Sequence, residues 1–268
     1  MIAFPNGKIN LGLRVLGKRD DGFHDIETVF YPVAIYDILE IIETDRSSFT
    51  SSGISVEGLS INNLCLKAYD LLKDNHPSLP TVAMHLHKNI PVGAGLGGGS
   101  ADATACLRML NTIGSLGLSA EQISEYALQL GSDCPFFLMN KPCLASGRGE
   151  ILREVDIDLS AFSILIVNPG IHINTGWAFS ALTSYSSKGG LENVIVNPVT
   201  TWKQDLHNDF ENLINEKYPE TKRLKELMYT RGAIYASLSG TGSTVYGLFK
   251  KNNMPDFHLP DSYFAKWV

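Results

Sequence analysis

Residues 91–100 read Pro91-Val92-Gly93-Ala94-Gly95-Leu96-Gly97-Gly98-Gly99-Ser100, five glycines in ten positions, and an alanine-bearing stretch from Ala101 follows without a break. Glycine has no Cβ to keep a ligand off the backbone and tolerates positive φ, so consecutive N–H groups can converge on an anion. A helix starting here would add uncapped donors and the positive end of its dipole. Upstream, Val82, Met84 and Leu86 alternate with Ala83, His85 and His87, the period of a strand; downstream, Ala101, Ala105, Cys106, Met109 and Leu110 recur on one helical side. Strand, loop and helix come in the order a phosphate site needs. Gly93, Gly95 and Gly98 satisfy GxGxxG, but the loop is not at the first strand-helix turn and no acid-ended strand follows about 20 residues later. A Walker A loop fails for want of its lysine. Two readings remain: a phosphate loop of another kind, or a tightly packed turn.

On the N-terminal side of the loop, Ile9, Leu11, Leu13 and Val15 alternate with Lys8, Asn10, Gly12 and Arg14, which predicts a strand with one core face and one polar face. Strand-like runs at Ile26–Ile35 and Ile38–Ile42 make the opening antiparallel β. A polar stretch from Thr44 to Gly58 precedes a helix carrying Leu64, Ala68, Leu71 and Leu72, capped by Asn62 or Asn63. A further helix from Ser119 to Leu130 opens with the capping-box pair Ser119 and Gln122. From about residue 142 strand-like CLAS and FSILIVNPG are followed by helical segments near 174–183, 208–217 and 219–230, then by strands at Ile234–Leu238 and Thr244–Phe249. The pattern restarts across GRGEILREVDID, which places a division near residue 150, into 1–150 and 151–268. Between the last two strands stands a second glycine turn, Ser239-Gly240-Thr241-Gly242-Ser243, which is a hairpin turn or the far wall of the same phosphate site.

The 268 residues are 44% hydrophobic and 19% charged, the composition of a globular protein with a full core. With 22 Lys+Arg against 28 Asp+Glu the net charge is −6, which argues against nucleic acid as a partner. Cysteines 65, 106, 134 and 143 form no metal or redox spacing and read as free thiols. No apolar run reaches 18 residues and the first residues lack a secretory pattern, so no membrane is expected and the cytoplasm is the expected location.

A phosphate loop alone does not choose between binding and transfer. Asp133, in Leu130-Gly-Ser-Asp-Cys-Pro-Phe-Phe-Leu138, is either a turn residue or a carboxylate that accepts a hydroxyl proton. Lys8 is either a solvated strand-end lysine or a cation that stabilises charge on an attacking oxygen. His24, in Gly22-Phe23-His24-Asp25, is an exposed turn residue, a base, or part of a recognition pair in which Phe23 stacks on a planar group and the imidazole bonds to its edge. No HExxH or GxSxG motif supports a zinc or serine hydrolase.

Together these segments resemble the GHMP small-molecule kinases. Pro91–Ser100 is similar to their central ATP loop and Ser239–Ser243 to their C-terminal glycine motif. Gly7-Lys8-Ile9-Asn10-Leu11, Asp21-Gly22-Phe23-His24 and Gly131-Ser132-Asp133-Cys134-Pro135 resemble the branch that acts on a cytidine diphosphate conjugate of methylerythritol. The resemblance runs from about residue 5 to 249. It implies a two-domain α+β fold, with a ribosomal-protein-like α/β domain followed by a ferredoxin-like α+β domain. It implies ATP as cosubstrate with Mg²⁺, for which no protein ligand is assigned, and phosphorylation of the 2-hydroxyl of the methylerythritol moiety on the route to isoprenoids. By the same resemblance Asp133 is the base and Lys8 its partner. Pro91, Val92, Gly93, Ala94, Gly95, Leu96, Gly97, Gly98, Gly99, Ser100 and Ala101 bind ATP, with Lys88 on the adenine side. Ser239, Gly240, Thr241 and Gly242 support the site. Asn10, Phe23, His24, Thr175 and Phe179 contact the substrate, with Phe23 and Phe179 sandwiching cytosine and His24 bonding to it. A homoserine or mevalonate type of GHMP kinase and a non-catalytic nucleotide-binding protein are the alternatives.

Overall fold

A computed structural model of the chain describes residues 1–54, 63–187 and 189–268. The chain packs into two compact units, each assembled from separated segments. The first comprises Met1–Gly7, Ala34–Val92 and Gly97–Asn140. Its sheet has the order β1-β4-β6-β5, formed by β1 (Ile2–Ala3), β4 (Ile38–Glu43), β6 (Val82–Lys88) and β5 (Ser48–Gly53). β5 runs parallel to β6 and the other pairs are antiparallel. β5 falls inside the polar stretch from Thr44 to Gly58, for which the sequence pattern predicts no strand: Ser48–Gly53 has no apolar alternation because only Phe49 is turned into the core, and its strand character comes from pairing with β6. Residues 55–58 of that stretch, and the alternative cap Asn62, lie outside the described residues.

Helices α1 (Leu64–Asn75), α2 (Gly98–Ile113) and α3 (Ala120–Leu130) complete this unit, with the single turn α4 (Phe136–Met139). Asn63 caps α1 by accepting from the Cys65 N–H, and Ser119 with Gln122 forms the expected capping box of α3. Leu39, Ile41, Val82, Met84 and Leu86 from the sheet meet Ala68, Leu72, Cys106, Leu107 and Leu110 from the helices in one buried cluster. Burying a Leu or Val side chain contributes roughly 1.5–3 kcal/mol, so this cluster fixes the direction of α2, and with it the end of the glycine loop.

The second unit comprises Lys8–Val33, Gly93–Leu96 and Lys141–Val268. One of its sheets has the order β2-β3-β7-β8, from β2 (Asn6–Lys18), β3 (His24–Tyr36), β7 (Cys143–Ser146) and β8 (Ile151–Glu154); the other has the order β10-β11-β9-β12, from β10 (Tyr235–Leu238), β11 (Val245–Lys250), β9 (Phe162–Asn168) and β12 (Phe264–Trp267). The second sheet is antiparallel throughout. Short helices α5 (Thr175–Ser180), α6 (Leu191–Ile195), α7 (Trp202–Asp205) and α8 (Glu211–Lys217) lead to α9 (Pro219–Thr230), which packs on β10 and β11. β2 departs from its expected two-faced character: Lys8 is 3% and Asn10 2% exposed, so both faces are buried there. Charged and amide side chains are buried only with partners, and those partners come from distant parts of the chain.

Candidate active site

The glycine loop changes unit twice, at 92/93 and at 96/97. In the second unit, Gly93 and Gly95 take positive φ, +64° and +79°, which only glycine adopts without strain. A Cβ on Gly95 would lie 2.0 Å from the Ser239 carbonyl oxygen, so the loop backbone rests directly on the Ser239–Gly242 turn. That turn is the β10–β11 hairpin, closed by Ser239 N–H on the Thr244 carbonyl. The fully buried Ser239 hydroxyl donates to Gly95 O at 2.7 Å and accepts from the Asn10 N–H at 3.2 Å. The Lys8 N–H donates to Leu96 O and the Thr244 N–H to Ala94 O. The second glycine turn is therefore a hairpin turn, and the glycine loop is packed against it.

On β2 the Lys8 ammonium donates to Asn10 Oδ1 at 2.5 Å and lies 4.7 Å from the Phe30 ring centroid. Asn10 Nδ2 donates to Thr28 Oγ, which in turn donates to Gly12 O, and Tyr246 donates to Asn10 O. Asn10 is thus immobilised on its backbone and its side chain, and it holds the lysine by one oxygen. Asn208 braces the Ser239–Gly242 turn by donating to Leu238 O and Gly240 O.

In the first unit, α2 begins at Gly98 behind the left-handed Gly97, and no side chain caps it. An uncapped helix start leaves several N–H groups unsatisfied by the helix and points its positive end at whatever lies before it. The Thr104 hydroxyl lies 2.9 Å from both Ser100 O and Cys134 O, so the first turns of α2 are joined to the partly buried turn that carries Asp133. Lys88, expected on the adenine side, is instead 1% exposed, and its ammonium donates to Asp37 and, at 2.7 Å, to Asp102. Burial pulls its pKa down, but the two carboxylates outweigh that and hold it above the ordinary value.

Beside β3 in the second unit, the His24 and Phe179 rings stack with centroids 5.0 Å apart and planes 28° from parallel. Rings already in stacking contact leave no gap for a base between them, so the structure pairs Phe179 with His24 in place of the expected gap toward Phe23. Burial, helped by Lys18, lowers the His24 pKa, which favours a neutral imidazole able both to donate and to accept. Phe23 is 51% exposed, with the Arg148 guanidinium 4.5 Å from its ring centroid. Thr175 opens α5, its hydroxyl 3.4 Å from that of Thr241. Three neighbours of these residues had no motif to announce them: Tyr185, tilted against His24 at 5.8 Å; Arg148; and His172, whose ring lies over Gly93.

Two family patterns match the chain, "GHMP kinases N terminal domain" over residues 63–141 and "GHMP kinases C terminal" over 191–256. It is 50% identical over 95% of its length to the 4-diphosphocytidyl-2-C-methyl-D-erythritol kinase of Azobacteroides pseudotrichonymphae, of which 96% is covered. The chain is a GHMP kinase. A second kinase of that description, from Cytophaga hutchinsonii, is 48% identical over 96% of this chain and 95% of its own length. A crystal structure of 4-(cytidine 5'-diphospho)-2C-methyl-D-erythritol kinase superposes with a TM-score of 0.78 at 28% identity, covering 92% of this GHMP kinase and 90% of that chain. The Methanococcus jannaschii mevalonate kinase, at 15% identity and a TM-score of 0.70, shares the fold. GHMP kinases use ATP as cosubstrate, and the N-terminal family segment of this one contains the glycine loop and the start of α2.

Proposed function

We propose that this GHMP kinase transfers the γ-phosphoryl group of ATP to the 2-hydroxyl of 4-diphosphocytidyl-2-C-methyl-D-erythritol, giving the 2-phosphate and ADP, in the methylerythritol phosphate route to isoprenoids. The observation that carries the proposal is 50% identity, over nearly the whole of both chains, to a kinase of that name. Each unit carries features suited to it: in the second, positive-φ glycines and a buried lysine fixed by Asn10; in the first, an uncapped helix start able to receive an anion.

In the proposed reaction the Asp133 carboxylate takes the proton of the 2-hydroxyl, the freed oxygen bonds to the γ-phosphorus, and the bond from that phosphorus to the β,γ-bridging oxygen breaks, releasing ADP. Lys8 stabilises the charge that develops on the attacking oxygen. Most of the acceleration in such transfers comes from positioning and electrostatics. Residues 91–101 form the ATP segment, and the glycine loop within it takes the phosphates on backbone N–H groups, with Ser239–Gly242 holding the loop from behind. Lys88 serves from below the surface rather than as a ligand contact. His24 bonds to the cytosine edge, and Phe23, Phe179, Asn10 and Thr175 complete the substrate side.

Among the described residues no group of three or more His, Cys, Asp or Glu side chains is placed to hold a metal. Mg²⁺ is accordingly proposed to arrive with the nucleotide, where it would neutralise phosphate charge. The division into 1–150 and 151–268 is proposed as that of the family's two domains, since the matched segments fall on either side of it. Cytoplasmic residence is proposed on the four free, buried thiols; no helix among the described residues is long and apolar enough to cross a membrane.

The test is ADP formation from MgATP with the cytidine compound, beside homoserine, mevalonate and no acceptor. Turnover with the cytidine compound alone is expected. Turnover with another alcohol, or nucleotide binding without any turnover, would overturn the assignment.

A further inference from the structure

Asp102 lies in the second turn of α2, is 2% exposed, and is not needed for the chemistry proposed above. One of its oxygens accepts from Lys88; the other, Oδ1, is buried with no hydrogen-bond partner among the described residues. Asp37, the other carboxylate on the same ammonium, is fully provided for: it also accepts from the Asn89 and Ile90 N–H groups, at 2.6 and 2.9 Å. The triad sits beneath the helix start. A Cβ on Gly98, the first residue of α2, would lie 3.3 Å from the Lys88 ammonium and 2.9 Å from Ile90 Cγ2. With both carboxylates ionised the triad carries one net negative charge close to N–H groups that are meant for an anion; with a proton on Asp102 it carries none.

We propose that Asp102 is a positioning residue for the nucleotide, which through Lys88 sets the start of α2 and takes up a proton when anionic phosphate binds at that helix end. The inference rests on the phosphate reading of the glycine loop. The proton has its place on Asp102 because that carboxylate alone has an oxygen without a donor, and an unpaired buried charge costs more than an unpaired buried hydroxyl. Among the described residues, the titratable groups facing Asp102 are Lys88 from β6, Asp37 from the β3–β4 connection, Cys65 from α1 and Cys106 from the next turn of α2. A hydrogen bond with Cys106, and burial, push the Cys65 thiol well above its ordinary range, so it stays neutral near neutrality. Burial pushes the Asp102 carboxyl up to about 7, against the pull of Lys88 and with that of Asp37. A phosphate anion nearby raises it further, which by linkage means that the nucleotide binds more tightly as pH falls, by at most about tenfold per pH unit for one proton.

Calorimetric titration of the whole protein with MgATP, in buffers of different ionisation enthalpy, counts the protons exchanged. The wild type at pH 7.5 is expected to take up a fraction of a proton more than Asp102→Asn, whose amide copies the neutral acid and whose MgATP affinity should stay level from pH 6.5 to 8.5 once the nucleotide's own titration is subtracted. Equal uptake by the two proteins would overturn the proposal. Should Asp102→Asn fail to fold, Asp37→Asn provides the same reading: with one negative neighbour removed, Asp102 gives up its proton at lower pH and uptake at pH 7.5 falls, and unchanged uptake overturns the idea. Adenosine, which has no phosphate, should bind the wild type without this uptake; the same uptake with adenosine as with MgATP would also overturn it. A wild type that binds no MgATP at all would overturn the kinase reading, and this inference with it.

Discussion

Replacing Gly95 by alanine tests the contact between the glycine loop and the Ser239 turn. At φ +79° an alanine carries a strain of about 1–2 kcal/mol. Its Cβ would also meet a backbone oxygen at 2.0 Å, where ordinary contact begins at 3.4 Å, so the two segments must part by more than 1 Å. Such overpacking adds roughly 1–3 kcal/mol. Gly117→Ala is the control: φ is +68°, and nothing lies within 4 Å of the added carbon, so it pays the backbone strain alone. At ~2–4 °C per kcal/mol for a chain approaching this size, Gly117→Ala should lower Tm by about 2–8 °C, and Gly95→Ala by several degrees more. A displacement of about 1 Å at a phosphate-positioning loop costs on the order of 100-fold in kcat/KM, so Gly95→Ala should lose that much with ATP while Gly117→Ala keeps the wild-type value. Thermal unfolding and steady-state kinetics of the two variants decide the matter. Equal Tm and equal kcat/KM in the pair would refute the argument that the loop is held by this approach.

Asp133→Ala should abolish turnover while leaving MgATP affinity nearly intact; calorimetry showing both lost together would remove Asp133 from the role of base. His24→Ala should raise KM for the cytidine substrate more than it lowers kcat. Because the His24 pKa is lowered, KM of the wild type should be level above pH 6.5 and rise in acid, as protonation turns the acceptor nitrogen into a donor, and an acid-insensitive KM would contradict that role. Asp102 also predicts how stability varies with pH. Its folded value of about 7 lies above the ordinary 3.8, so the folded state holds a proton that the unfolded chain has released. The group's contribution is complete below about pH 4 and is lost as pH rises through 7. Urea unfolding at pH 5 and pH 8 should therefore show the wild type losing about 3 kcal/mol more than Asp102→Asn across that interval.

The glycine loop was legible because its chemistry is local: glycines at positive φ, a strand before and a helix after are all written in consecutive residues. The caps at Asn63 and Ser119 were legible for the same reason. Lys88 was misplaced although a signal existed. It continues the inward series Val82, Met84, Leu86, and a lysine at that parity requires buried carboxylates, one of which stands 51 residues earlier. The burial of Lys8 and Asn10 could not be read from β2, since what satisfies Asn10 includes Ser239 and Tyr246, each more than 200 residues away. β5 and β12 were missed because their strand character lies in their neighbours: each is short and paired at a sheet edge. Arg148 and Tyr185 reach the aromatic cluster around Phe23 and His24 from segments without periodicity, and only tertiary packing brings them there.

The second unit draws residues 8–33 from near the start of the chain and residues 141–268 from its end. Leu13 donates its N–H to His207 O, and Val15 donates to the Asp209 carboxylate, 194 positions downstream. During synthesis, Leu13, Val15 and Ile26 therefore leave the ribosome long before Leu165, Phe210 or Val245, beside which they are buried, have been made. The apolar face of β2 and β3 must wait, uncovered, for most of translation, whereas the first unit has all its residues once position 140 has emerged. A nascent chain of this kind exposes the apolar side of residues 8–33 early and buries it late, the circumstance in which partly made chains are most open to misassociation.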